Sequence, residues 1–220
     1  MIKQRCCALL AMVLFSTVCV YAQSERGYGV FLGYSNLQAQ GLRNTNDFLD
    51  RRLTLNGVNG SANLFALGSF GVTGDVSWNR NGNSVGVGNG TDSEHTDVWY
   101  FMAGPSLSYA VSEHFQPFAR ILAGGARTNF KAKQERVGTD SATRSSTFAV
   151  GSTDFAMGFG GGLDIRVSDR LHVRAIQFDW TPVFFDSESI TTLGTPGVLR
   201  AGFLNGKRQD NFRFSFGVVF

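Results

Sequence analysis

Residues 211–220 alternate without a break: Phe212, Phe214, Phe216, Val218 and Phe220 share one parity, and Asn211, Arg213, Ser215 and Gly217 the other. A period of two puts successive side chains on opposite faces of a β-strand. In an open sheet, a five-member apolar row would leave an adhesive edge, which closure into a barrel removes. With the apolar row on lipid and the polar row on a lumen, about ten residues cross an outer membrane.

The same alternation predicts seven strands upstream. The first, 27–35, sets Tyr28, Val30, Leu32 and Tyr34 against Gly29, Phe31, Gly33 and Ser35. The second is expected at 57–65 and the third at 70–79, where Phe70, Val72, Gly74, Val76 and Trp78 oppose Gly71, Thr73, Asp75, Ser77 and Asn79. The fourth, 98–109, contains Pro105, which removes a ladder hydrogen bond and predicts a local bulge. The fifth falls at 116–126, the sixth at 155–166 and the seventh at 171–180, where the parity slips midway. Connections at 38–56, 80–96, 127–153 and 181–210 are long and polar, and 80–96 is Asn- and Gly-rich enough to read as loop. Those at 66–69, 111–114 and 168–170 are short.

Long and short connections thus alternate. An up-and-down barrel with both chain ends in the periplasm has that pattern, short turns inside and long loops outside. The expected fold is all-β, an eight-stranded antiparallel up-and-down transmembrane β-barrel occupying 23–220 as one domain. Trp78, Trp99 and Trp180 fall at the long-loop ends of their strands, and Tyr28, Tyr109, Phe115 and Phe220 at the short-turn ends, as two interfacial girdles would.

The inward rows carry charge: Asp75, Arg120, Asp164, Arg166, Arg174 and Arg213. Eight strands enclose a lumen just wide enough for side chains to fill, and charges confined there must pair. A static salt-bridge plug is the favoured expectation, with a narrow ion- or solute-conducting relay as the alternative. Gly158, Gly160 and Gly162 are expected to leave room for the arginines across the lumen.

At the start, Lys3 and Arg5 precede an apolar run from Cys6 to Val20, and Val20-Tyr21-Ala22 approximates a small-x-small cleavage pattern. Residues 1–22 are therefore expected to be a cleavable signal peptide; the apolar run is too short for a spanning helix. Lipoprotein processing at Cys19 lacks the usual preceding residues. Cleavage would remove Cys6, Cys7 and Cys19, all the cysteines of the chain, along with two basic residues, taking the formal charge from +3 to +1. That balance points to neither nucleic acid nor a polybasic anchor. The near-zero mean hydropathy suits a lipid-facing row alternating with a polar one.

Chemistry is sparse. His95, His114 and His172 share no motif, and Ser112-Glu113-His114 has the composition of a solvated turn. Residues 92–97 offer clustered oxygens without the spacing or glycine of a calcium loop. The glycine run 158–162 has no following helix, and Gly206-Lys207-Arg208 lacks the rest of a phosphate loop. No catalytic residue, cofactor or metal ligand is expected. A soluble lipocalin-like barrel, the alternative fold, would pack its large aromatics inward, whereas here the opposite row holds Asp75, Asp164, Arg166 and Arg213.

The terminal row Phe212, Phe214, Phe216, Val218 and Phe220 resembles the insertion signal of bacterial outer-membrane barrels. Gly160-Gly161-Gly162-Leu163-Asp164-Ile165-Arg166-Val167-Ser168-Asp169-Arg170 resembles the glycine-rich strand and Asp-Arg turn of the small OmpA-type, opacity-protein-like family. Phe101-Met102-Ala103-Gly104-Pro105 and Gln116-Pro117-Phe118-Ala119 are similar to it as well. The resemblance implies recognition by the barrel-assembly machinery and residence in outer-membrane lipid. Some relatives continue into a peptidoglycan-binding domain; this chain stops at the terminal strand, so cell-wall tethering is not expected to transfer. The expectation is a monomer with a structural or surface-interaction role: membrane integrity, adhesion or recognition of an extracellular ligand through four loops. A narrow channel and a lipid-modifying enzyme are the alternatives.

Overall fold

A computed structural model of the chain describes residues 28–40, 52–67, 69–87, 90–137, 143–168, 171–185 and 208–220. Its strands are β1 (Tyr28–Gln40), β2 (Arg52–Leu67), β3 (Phe70–Val87), β4 (Gly90–Ser108), β5 (Phe115–Val137), β6 (Thr143–Arg166), β7 (His172–Trp180), β8 (Val183–Phe184), β9 (Arg208–Gln209) and β10 (Phe212–Val219). No helix occurs among the described residues. Residues 1–22, where the signal peptide was expected, lie outside the described residues.

Each strand from β1 to β7 pairs antiparallel with the next, β7 pairs with β10, and β10 pairs with β1, which closes a ring of eight. Closure sets Phe31 opposite Val219 and Gln38 opposite Phe212. The two-residue strands β8 and β9 add a short ladder beside β6. Parity follows the alternation: Phe70, Val72, Val76, Phe101, Phe214 and Phe216 face outward and are exposed, while Thr73, Asp75, Ser77, Arg213 and Ser215 face inward and are buried. An exposed apolar face around the ring and fully buried charges inside it, among them Asp75, Arg120 and Arg213, invert the layout of a soluble protein, which excludes the lipocalin-like alternative.

Two stretches read as loop are strand. β3 and β4 stay in register to Val87 opposite Gly90, covering most of 80–96, and β5 and β6 stay in register to Val137 opposite Thr143, covering most of 127–153. Asn and Gly lower strand propensity, but each residue here gains a partner already aligned by the hairpin below it, and pairing outweighs propensity. The bulge expected at Pro105 is a gap in ladder pairing from Gly104 to Pro105 on β4 against β5; the residues before and after keep one register.

β7 contains a true bulge. Gln177 pairs with Ser215 and Arg174 with Gly217, so Ala175 and Ile176 together oppose one residue of β10. Both are exposed, and the inward row is Arg174, Gln177, Asp179. This is the physical origin of the parity slip in the seventh strand.

Candidate functional site

The candidate site is the lumen, which side chains fill in successive layers. Four strands supply its central layer: Asp75 from β3, Arg120 from β5, Asp179 from β7 and Arg213 from β10. Arg120 donates through Nε to Asp179 Oδ1 (3.0 Å) and through Nη2 to Asp179 Oδ2 (2.8 Å), and its Nη1 lies 3.0 Å from Asp75 Oδ2. Arg213 donates through Nη1 to Asp75 Oδ1 (2.8 Å) and Ser77 Oγ (2.7 Å), and through Nε and Nη2 to Asp179 Oδ2 (3.1 and 3.0 Å). Arg213 is fully buried. Two cations and two anions alternate in a closed cycle, which is how a water-poor interior can hold four charges.

A second ion pair lies towards the short-turn end. Arg174 grips Asp164 with Nε to Oδ1 (2.7 Å) and Nη2 to Oδ2 (2.9 Å), a bidentate fork. Its guanidinium sits between the rings of Phe31 (4.4 Å) and Phe118 (4.0 Å). Gln177 links the layers: its Oε1 accepts from Arg174 Nη1 (2.8 Å), and its Nε2 donates to Asp179 Oδ2 (2.8 Å) and Asn59 Oδ1 (3.2 Å). Asn59 in turn donates to Asp75 Oδ2 (3.0 Å).

Towards the other end the chemistry changes. Asn211 Nδ2 donates to the buried Tyr100 hydroxyl at 2.8 Å. Beyond it Leu37, Ala39, Leu55, Val98, Met102, Leu122, Ala126, Ala156 and Val183 form one buried apolar cluster. The periodicity of the strands does not expose this layer, because it occupies inward positions that the simple rule of apolar outside and polar inside assigns to polar residues.

Five of the six charges expected in the lumen meet there: Asp75, Arg120, Asp164, Arg174 and Arg213. Arg166 is corrected: it is the last residue of β6, opposite His172, and its side chain is exposed where the strand leaves the ring. Asp179, the acceptor shared by two arginines, was missed because it follows the β7 bulge. The glycine expectation is also revised. A Cβ on Gly160 would collide with the Asp179 carboxylate and the Phe178 carbonyl, one on Gly162 with the Ile176 carbonyl and the Phe118 ring, and one on Gly158 would approach Leu122 and Met102 at 3.3 and 3.4 Å. The glycines make room for these groups rather than for the arginines themselves.

Among the aromatics, Trp78 and Trp99 are register partners with ring centroids 5.9 Å apart, and Trp99 stacks on Phe101. Trp180 packs on Phe159 (5.5 Å) and donates to Asp210 Oδ1 at 3.1 Å. Tyr109 is exposed just past the short-turn end of β4, and Tyr28 begins β1 opposite Leu64. Phe212, Phe214, Phe216, Val218 and Phe220 keep the parity that faces away from the lumen charges. Among the described residues no group of three His, Cys, Asp or Glu is placed to hold a metal. His114 lies in the turn that Ser112 closes by accepting from the His114 and Phe115 amides.

A closed eight-strand ring with an apolar exterior and a charge-paired interior defines an outer-membrane barrel. The chain belongs to the outer membrane protein beta-barrel domain family, whose model matches residues 7–220. Among solved structures it is similar to Ail, the attachment invasion locus protein of Yersinia pestis, with 13% identity over 90% of this chain and all of that one and a TM-score of 0.51. Neisserial surface protein A aligns at 10% identity over 87% of this chain and 95% of its own, TM-score 0.48. The N-terminal barrel domain of Pseudomonas aeruginosa OprF aligns at 12% identity over 87% and 97%, TM-score 0.34. At 13% identity the likeness to Ail is one of fold. No curated protein sequence matches the chain.

Proposed function

We propose that this protein is a monomeric surface-interaction protein of the outer membrane, a side-chain-plugged barrel that holds a projecting β-sheet outside the cell. One observation carries the reading: the strands of the ring are unequal. β7 and β10 are 9 and 8 residues long, close to what a membrane crossing needs, whereas β5 and β6 are 23 and 24. The excess lies beyond the Trp78–Trp99 pair, at the end opposite the short turns. At about 3.3 Å per residue, the part of β6 from 143 to 154 runs roughly 40 Å. Among the described residues, β6 pairs over that stretch with β5 alone, since the β8 ladder runs from Ala156 opposite Val183 to Phe155 opposite Phe184.

A long strand paired on one side presents a row of backbone donors and acceptors to any partner that adds a strand. With short turns in the periplasm, this sheet stands outside the cell and both chain ends inside. The terminal row Phe212 to Phe220 is assigned to recognition by the assembly machinery. Catalysis has no place in the reading.

The test shortens the β5–β6 hairpin by deleting 129–151 and joining the register partners Thr128 and Ser152 through a two-residue turn. The shortened protein is expected to keep the heat-dependent gel shift of a closed barrel while cells carrying it lose adherence to protein-coated surfaces. Unchanged adherence would overturn the proposal.

A further inference from the structure

The short-turn end of the lumen holds a cavity of about 180 Å³, walled by residues from every ring strand except β3. Its roof is the Arg174 guanidinium, clamped between Phe31 and Phe118 and bonded to both Asp164 oxygens. The roof is therefore electrically neutral and almost fully satisfied. The walls are not. Ser106 is 6% exposed, and its hydroxyl lines the cavity without a hydrogen-bond partner. Asn63 Oδ1 accepts from Thr73, which leaves the Asn63 amide donors open, and Gln116 Nε2 donates to Ser108, which leaves its carbonyl oxygen open. His172 lines the cavity, half-buried, directly opposite exposed Arg166 on β6.

Dry cavities in proteins are apolar; a roomy one with unsatisfied donors and acceptors holds water, at about 30 Å³ per molecule. A bare ion entering would shed its hydration against a roof whose two charges already cancel, a cost nothing in the wall offsets. A small uncharged solute with hydroxyl or amide groups would meet open partners on several walls. We infer that this cavity is a hydrated vestibule, entered from the short-turn end, that takes small uncharged polar solutes of polyol or amide chemistry and ends blind at the Phe31–Arg174–Phe118 stack. This depends on the closed barrel alone, whichever way the barrel faces and whatever the projecting sheet binds.

The chain has no cysteine after Cys19, so in a background with Cys6, Cys7 and Cys19 replaced by serine an introduced thiol is a unique reporter. Ser106→Cys, Ser108→Cys and Leu122→Cys are placed singly in the barrel folded in detergent, with the heat-dependent gel shift as the folding control. Ser108→Cys stands in if Ser106→Cys does not fold. Each is treated with neutral hydroxyethyl, cationic trimethylammonioethyl and anionic sulfonatoethyl methanethiosulfonates, and rates are normalised to those of a free thiol. Thiols at 106 and 108 are expected to react with the neutral reagent on the order of tenfold faster than with either charged one. The thiol at 122, beyond the roof, is expected to stay unreactive until the barrel is unfolded. Thiols at 106 and 108 as inert as that at 122 would mean a dry or closed cavity and overturn the inference. Equal rates for neutral and charged reagents would overturn its selectivity for uncharged guests.

Discussion

The two halves of the lumen solve one problem by opposite means. Near the short turns, Asp75, Asp179 and Asp164 meet Arg120, Arg213 and Arg174 in a hydrogen-bonded network with no net charge. Near the projecting sheet, Leu37, Leu55, Val98, Met102 and Leu122 fill the same cross-section with hydrocarbon. The charged half is specific but brittle, since Asp75 and Asp179 each serve two arginines and loss of either leaves both short of an acceptor. The apolar half is forgiving, since a shortened side chain leaves a gap that neighbours partly close. What the contrast teaches is that one narrow lumen can be filled twice, once with paired charge and once with hydrocarbon.

Removal of Asp179 should break the comparison hardest. Asp179→Ala leaves Arg120 and Arg213 short of their shared acceptor, and the expected loss is about 3–5 kcal/mol of unfolding free energy, read by urea titration in lipid vesicles. The same variant is expected to pass no steady current across a planar bilayer, because the hydrocarbon layer still excludes water. A steady current would place the seal in the charged half instead. Leu122→Ala should cost less, about 2–3 kcal/mol, as the adjacent flexible Met102 takes up part of the space; a loss matching that of Asp179→Ala would abolish the distinction between the halves. Arg166→Gln should change stability by less than about 0.5 kcal/mol, because its side chain is exposed at the end of β6. A larger effect would extend the charged layer to the barrel rim.

The smallest effect belongs to the projecting sheet. Burial, reinforced by the Asp92 carboxylate, holds the Glu94 carboxyl above its usual range. The folded sheet therefore binds that proton more tightly than the unfolded chain does, and its stability rises as pH falls from above the folded-state value towards the ordinary glutamate range. Protease nicking of the β3–β4 hairpin should slow slightly from pH 7 to pH 5, and Glu94→Gln should remove the difference. Nicking that accelerates on acidification would reverse the assigned sign.

Where a strand has one face on lipid and one on polar lumen, its sequence states its conformation. The rows 70–79 and 211–220 needed no structure to be read, nor did the assignment of Asp75 and Arg213 to the inward face. Legibility failed where that two-sided contrast disappears. In 80–96 and 127–153 the sequence carries polar residues on both parities, and composition alone reads as loop; Gly88-Asn89 between alternating stretches was the available hairpin signal. Asp179 was lost at the β7 bulge, because one extra residue reverses the parity of everything after it. The hydrocarbon layer was hidden for a subtler reason. Val98, Met102 and Leu122 are apolar on an inward face, so their neighbours along the strand are apolar on both sides and the period of two fades.

Ring closure has a consequence for the order of events in assembly. β10 follows the other ring strands along the chain, yet it must lie between β1 and β7, and it carries Arg213. Until it docks, Asp75 lacks the guanidinium it shares with Ser77, and Asp179 keeps Gln177 and one of its two arginines, Arg120. An unclosed barrel therefore holds surplus negative charge at its centre, and the final strand relieves it. Closure thus has a chemical condition beside its geometric one: a ring in which β10 slips by one residue turns Arg213 outward, leaves that charge unbalanced and is expected to reopen.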